Sequence, residues 1–224
     1  MLEIKNSEQV ELSDRVRFRC KRCGECCRHV KNTVIIESLD AYNLAKHLNV
    51  RMDEIYLEYA DSLFIEDTEY PVFALKTVGE KDSCVFLKGN RCTVQEAKPR
   101  TCRMYPFWVE PCEAEVGSFQ YNFTSERPHH PKGSLVRVKD WMRDNFSDEY
   151  KAFLTEEWRA IKELAPAMKA AYAVFPDKAD LLRLILMYRY FMFELDMPFL
   201  EQHKANNKTL LKIIEDRIRS IGSV

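Results

Sequence analysis

Four thiols fall within eight residues in the run Cys20-Lys21-Arg22-Cys23-Gly24-Glu25-Cys26-Cys27, at the spacing C-x2-C-x2-C-C. In a C-x2-C unit the chain turns so that both sulfurs face one point and the backbone N–H groups between them can bond to sulfur. That geometry suits tetrahedral Zn2+ at about 2.3 Å, or the irons of a cluster. Gly24 stands where such a tight ligand loop calls for positive φ. Cys26 and Cys27 are adjacent, so their side chains are expected to diverge and to serve one ion unequally. A second set follows in Cys84, Cys92 and Cys102, with Cys112 trailing. Residues 84–92 read as a hairpin whose ends return together, and Lys98-Pro99-Arg100-Thr101-Cys102-Arg103 presents a thiol beside two arginines. Arg19, Lys21, Arg22, Arg28, Arg91, Arg100 and Arg103 surround the thiols in sequence, and positive neighbours favour the thiolate form.

All eight cysteines lie between Cys20 and Cys112, and residues 113–224 hold none. Structural disulfides and inert buried thiols are the plainer readings. The start of the chain has no basic segment leading into an apolar one, which argues against secretion and for a cytoplasmic protein with reduced thiols. Four cysteines flanked by charges also make poor core composition. A metal or iron–sulfur site is therefore the stronger reading. Eight thiols suffice for two four-cysteine zinc sites, one [4Fe–4S] cluster with spare cysteines, or two clusters. The bacterial ferredoxin spacing is matched only in its first three cysteines. The distal set lacks the second C-x2-C knuckle usual for structural zinc. The sequence leans narrowly to an iron–sulfur cluster, [4Fe–4S] first, over Zn2+.

Taken together, Phe18-Arg19-Cys20-x-x-Cys23-Gly24-x-Cys26-Cys27-Arg28, then Cys84-x-Phe86-Leu87, Asn90-x-Cys92 and Pro99-Arg100-x-Cys102-Arg103-x-Tyr105-Pro106-Phe107 resemble the YkgJ-type cysteine-cluster family, the zinc- or iron-chelating CxxCxxCC domain. The flagellin lysine N-methylases carry a related cysteine arrangement. The resemblance covers roughly residues 16–125. It implies that Cys20, Cys23, Cys26, Cys27, Cys84, Cys92 and Cys102 are metal-site positions, with Cys112 as an eighth candidate. It names a cofactor class rather than a reaction.

Other groups have plainer alternatives. His29 is either a further ligand or a surface histidine, and His129-His130, between Pro128 and Pro131, is either a metal or proton site or a solvated loop. Tyr105, Phe107 and Trp108 either roof the centre against water or pack a core. Tyr188, Tyr190, Phe191 and Phe193 read as helix packing before a substrate box. Six glycines and no G-x-G-x-x-G, P-loop or G-x-S-x-G leave little room for a nucleotide-binding loop.

The elements that must position these thiols are legible in outline. The chain of 224 residues has 46% apolar and 31% charged residues, enough to bury a core. With a net charge of −1 it lacks the basic balance of a nucleic-acid-binding domain. Val16-Arg17-Phe18 alternates into the first cysteines, and Thr33–Ile36 reads as a short strand. Ser38 or Asp40 caps a helix to about Leu48, and a second helix fits Asp53–Ala60. Strands are expected at Tyr70–Leu75 and Val85–Leu87, while Pro99, Pro106 and Pro111 rule out long elements over residues 91–112.

The second half changes character. Ser147 caps an amphipathic helix that Pro166 should kink or split, Asp177 caps another carrying Leu181 to Leu195, and a last helix fits Thr209–Ile221 with Gly222 beyond it. Leu181–Phe193 is too short and too charged to span a membrane. The expected fold is α+β. A small cysteine-rich module of short strands and helices spans residues 1–130, and a mostly helical module spans 131–224. The expected function is metal chelation through an iron–sulfur cluster or zinc, with redox or group-transfer chemistry in view. A zinc-stabilised non-catalytic interaction module, or a methylase related to the flagellin enzymes, is the alternative. A protein partner is expected at the helical half, and neither nucleic acid nor a membrane span.

Overall fold

Short, alternating segments dominate the first half of the computed structural model, which describes residues 7–65, 70–124, 132–175 and 177–221. In chain order they are β1 (Ser7–Val10) and β2 (Arg15–Arg17), a single 3-10 turn at Glu25–Cys27, then helices α1 (Ser38–Leu48) and α2 (Met52–Tyr59). Next come β3 (Ala60–Ile65) and β4 (Tyr70–Leu75), and four two-residue strands: β5 (Thr77–Val78), β6 (Ser83–Cys84), β7 (Leu87–Lys88) and β8 (Arg91–Cys92). The five-residue helix α3 (Arg100–Met104), β9 (Phe107–Pro111) and β10 (Phe119–Thr124) complete this half. Proline-rich residues 91–112 hold only brief elements, as expected. The strand expected at Thr33–Ile36 does not form: Thr33 closes a turn on the Val30 carbonyl, and residues 34–36 run beside β4 with only a single bridge. Ile36 N–H donates to Phe73 and Leu75 N–H to Val34, with a bridge at Ile35–Ala74.

The strands assemble antiparallel in small sheets: β1-β10-β9, and the ribbons β3-β4, β5-β6 and β7-β8. Past the first half, β11 (Leu135–Arg137) returns to pair with β2, setting Arg137 opposite Arg15 and Leu135 opposite Arg17. Sheets of two strands expose most of their edges. Their stability must come from helices laid against them rather than from pairing.

Those helices are α4 (Val138–Asn145), α5 (Asp148–Val174), α6 (Lys178–Leu186) and α7 (Phe199–Ile221). Ser147 accepts from Tyr150 N–H and Asp177 from Ala179 N–H, so both expected caps are present. The first helix is entered differently. Glu37 is its cap residue, and Asp40 reaches back to accept the Glu37 N–H at 3.1 Å. Pro166 does not split α5, because buried Leu164 and Met168 hold the turns on either side of it. The apolar run expected to continue from α6 to Leu195 instead ends in a π-helical segment, Met187–Phe191. Helix α7 starts ten residues earlier than Thr209, after Pro198 ends the preceding loop. Gly222, its expected cap, lies outside the described residues, as does the expected boundary between residues 130 and 131.

Buried side chains from both halves form one cluster, including Phe18, Leu39, Ile55, Phe107, Phe153, Ile185 and Ile214. Tyrosines pin the halves together through their hydroxyls. Tyr42 donates to the Met197 carbonyl at 2.7 Å, Tyr190 to Pro71 at 2.6 Å, and Tyr150 to the Asp40 carboxylate at 2.6 Å. The architecture is α+β, with short strands in small sheets and a helical C-terminal region. Among the described residues no helix is long and apolar enough to cross a membrane.

Candidate metal centre

Ribbon β2-β11 delivers the chain to the first cysteines. Phe18, just past β2, is buried and packs edge-on against Trp141 at 5.1 Å, and its N–H bonds the Ser134 carbonyl. Gly133 is required there, because a Cβ would lie 2.5 Å from the Phe18 carbonyl carbon. Beyond this anchor Arg19 to Arg22 are exposed. Gly24 then takes φ +73°, the left-handed conformation anticipated for it, and opens the 3-10 turn Glu25–Cys27. That turn contradicts the expectation that Cys26 and Cys27 point apart: their sulfurs stand 3.9 Å from each other.

Arg28 closes this loop onto the distal cysteines. Its guanidinium donates to the Cys23 carbonyl at 3.0 Å, the Gly89 carbonyl at 3.0 Å and Asn90 Oδ1 at 2.7 Å. It therefore ties the first motif to the turn between β7 and β8. Cys84 sits on β6 opposite Thr77, and Cys92 on β8 opposite Leu87, so the two thiols are carried by separate ribbons rather than by the two ends of one hairpin.

Helix α3 supplies Cys102, and a buried carboxylate sets its position. Asp40, fully buried in α1, accepts the Arg100 N–H at 2.8 Å and the Tyr150 hydroxyl on one oxygen, and the Glu37 N–H on the other. The Arg100 guanidinium forms a two-pronged pair with Glu37 at 2.8 and 2.9 Å. Burial, followed by the charge of Glu37, pushes the Asp40 carboxyl up to about 6, against its hydrogen bonds and Arg100. Arg103 donates to the Glu96 carbonyl. Arg28, Arg100 and Arg103 are thus engaged with protein oxygens, and act as clamps on the loops that bear the thiols.

Five thiols feel one another electrostatically. Cys27 is pushed up by its contact with Cys26, by burial, and by the charges of Cys26, Cys102 and Cys84. Cys102 is raised by burial first, then by Cys84, Asp40, Cys26 and Cys92. Burial likewise raises Cys84, with Cys92 and Cys26 adding to it. Cys27, Cys84 and Cys102 thus favour the protonated thiol until a cation stabilises the thiolates. The donor set is that of a thiophilic metal. Among the described residues, no three His, Cys, Asp or Glu side chains already converge on one ligating point.

The remaining candidates lie elsewhere. Cys20 is exposed, and Cys23 is half-buried with its carbonyl taken by Arg28. Cys112 follows β9, donates its N–H to Ser118, and acts on Tyr121 of β10. His29 is exposed, with its N–H on the Lys81 carbonyl, and His129-His130 lie outside the described residues. Phe107 packs against Phe123 and Trp141, and Tyr190 and Phe191 against Tyr56, so these aromatics belong to the core. A cavity of about 930 Å3 opens between α5, β4 and the π-helical segment, with Glu37, Glu157 and Arg189 among its walls. Sequence reading missed the Asp40–Arg100–Glu37–Tyr150 network. Its one local signal, an acid in the first turn of a helix, reads as an ordinary cap.

A family described as "Putative zinc- or iron-chelating domain", CxxCxxCC, matches residues 19–130. An uncharacterized protein of Methanocaldococcus jannaschii is 27% identical over 97 residues, which is 42% of this chain and 47% of that protein. The chain thus spans about half the length of this curated relative. No solved structure matches. With both cysteine blocks inside the matched region, the chain belongs to the CxxCxxCC family.

Proposed function

We propose that the chain holds a single metal ion on Cys26 and Cys27, with Cys84 and Cys102 completing a four-thiolate set and Cys92 beside them. The observation that carries this reading is the 3.9 Å between the Cys26 and Cys27 sulfurs. Ligands at about 2.3 Å in a tetrahedron stand ~3.8 Å apart, so adjacent sulfurs at this spacing suit two corners of one zinc site. In a [4Fe–4S] cluster each cysteine takes a different iron, and two sulfurs this close fit poorly. Zinc is therefore the first choice here, in place of the cubane favoured by spacing alone. A closed four-thiolate zinc site is a folding clamp, and its binding energy is folding energy. It would fasten the loop of Cys26 to β6 and α3.

Iron–sulfur is the second reading, because Cys92 also acts on Cys102 and Cys84, a fifth thiol beyond the four that one zinc ion takes. Cys26 and Cys27 could share one iron of a [2Fe–2S] centre, which would give the protein reversible electron transfer. Anaerobic purification followed by assays of iron, zinc and acid-labile sulfide separates the two. A colourless protein with stoichiometric zinc and no sulfide is expected. Sulfide in proportion to iron, with visible absorbance, overturns the zinc reading, and no uptake of either metal on reconstitution overturns both.

A further inference from the structure

We propose that the outer face of the β2-β11 ribbon is a docking surface for an acidic protein segment. Val16 turns inward, so Arg15 and Arg17 face outward, and the register puts Arg137 and Leu135 beside them. Lys139 follows at the start of α4, and the exposed Arg19, Lys21 and Arg22 extend the stripe toward the first cysteines. Among the described residues, Arg15, Arg137 and Lys139 enter no ion pair, and the Arg17 guanidinium donates to the Gly133 carbonyl at 3.4 Å. Asp14, the adjacent acid, directs its carboxylate to the Glu11 N–H in their own turn.

Like charges directly opposite each other on a ribbon are destabilising. Among the described residues no acid pairs with Arg15 or Arg137, and an external carboxylate would supply that counter-charge. A shallow pocket of about 390 Å3 lies between them, lined by Leu12, Ser13, Arg15, Arg137 and Lys139. The first N–H groups of α4, on Val138 and Lys139, are bonded to the Asp14 and Leu12 carbonyls and tie the helix to the turn before β2.

Three observations select a protein over a nucleic acid. Leu135 is 54% exposed amid the arginines and Leu12 37%, an apolar centre within a charged rim, as in protein interfaces. The aromatic of this segment, Phe18, is 3% exposed and sealed against Trp141, so it offers no base a stacking surface. The net charge of −1 leaves the whole molecule without a long-range pull on a polyanion. The partner is thus a local acidic stretch carrying an apolar residue. This surface is independent of which metal the cysteines hold.

The test uses the full chain with its native metal content and a fluorescein-labelled peptide of alternating Glu and Leu, followed by anisotropy from about 50 to 200 mM salt. Saturable binding that weakens with salt is expected. The Arg15→Glu/Arg137→Glu variant should bind about tenfold more weakly with a flatter salt response, and Leu135→Ala should bind a few-fold more weakly. Lys208→Glu/Lys212→Glu on α7 should leave binding unchanged. If the double reversal loses its circular dichroism spectrum, Arg15→Gln/Arg137→Gln is read in its place. Undiminished binding by the ribbon variants, no peptide binding at low salt, or tighter binding of an oligothymidylate of equal charge would each overturn the proposal.

Discussion

Replacing Asp40 is the sharpest test of how the thiol-bearing elements are held. Its carboxylate is fully buried and accepts three hydrogen bonds: from Tyr150 at 2.6 Å, Arg100 at 2.8 Å and Glu37 at 3.1 Å. Asp40→Ala leaves three donors with no acceptor in a site closed to water. Each costs about 1–3 kcal/mol, so the loss should be at least ~3 kcal/mol out of a total stability on the order of 5–15 kcal/mol. For a chain of this size that lowers the melting temperature by about 6–12 °C. Asp40→Asn keeps one oxygen for Arg100 and Tyr150 but turns an N–H toward the Glu37 N–H, so its loss should be smaller, about 1–2 kcal/mol. Urea and thermal unfolding followed by circular dichroism give both values. Because Arg100 opens α3, the Asp40→Ala variant should also expose Cys102 to thiol reagents faster than wild type. An Asp40→Ala variant within about 1 kcal/mol of wild type, or an Asn variant less stable than the Ala variant, would refute the reasoning.

Three further outcomes follow from the geometry. Cys102→Ser should lower bound metal sharply and Cys112→Ser should leave it nearly intact, since Cys102 faces four of the clustered thiol and acid charges whereas Cys112 acts on Tyr121; equal metal loss by plasma emission analysis contradicts the assignment. Metal uptake should release protons and tighten as pH rises, by up to about tenfold per pH unit for each proton displaced, because burial and mutual repulsion hold these thiols protonated. Calorimetry in two buffers of different ionisation enthalpy counts those protons, and a pH-independent affinity would refute it. Glu157→Gln should cost about 3 kcal/mol by stranding the buried Arg189. Burial raises the Glu157 carboxyl, but Arg189 and His203 outweigh it and bring it down to about 2, below its ordinary 4.5. A lowered carboxyl stabilises the fold above about pH 4.5 and loses that contribution as pH falls through about 2. Urea midpoints should therefore show the wild-type advantage at neutral pH and its erosion in acid.

Local rules carried the sequence reading as far as local causes reach. The Ser147 and Asp177 caps, the positive φ of Gly24, the strand at Tyr70–Leu75 and the brevity of every element in residues 91–112 follow from side chains acting within a few positions of themselves. The same holds for the α+β class, since alternation and helical spacing are written along the chain. The cysteine blocks likewise marked the family. The π-helical segment at Met187–Phe191 and the early start of α7 escaped that reading, because packing against distant elements outweighs propensity there. The candidate site divides the same way. Spacing nominated eight thiols, and the tertiary structure lets Cys26, Cys84 and Cys92 act on Cys102 and Cys27 while leaving Cys112 just past β9, acting on Tyr121. It also assigned Arg28 and Asp40 their work as clamps, through partners 62 and 110 residues away. Contacts at such separations form only when the shared core draws the segments together, and no spacing along the sequence encodes them.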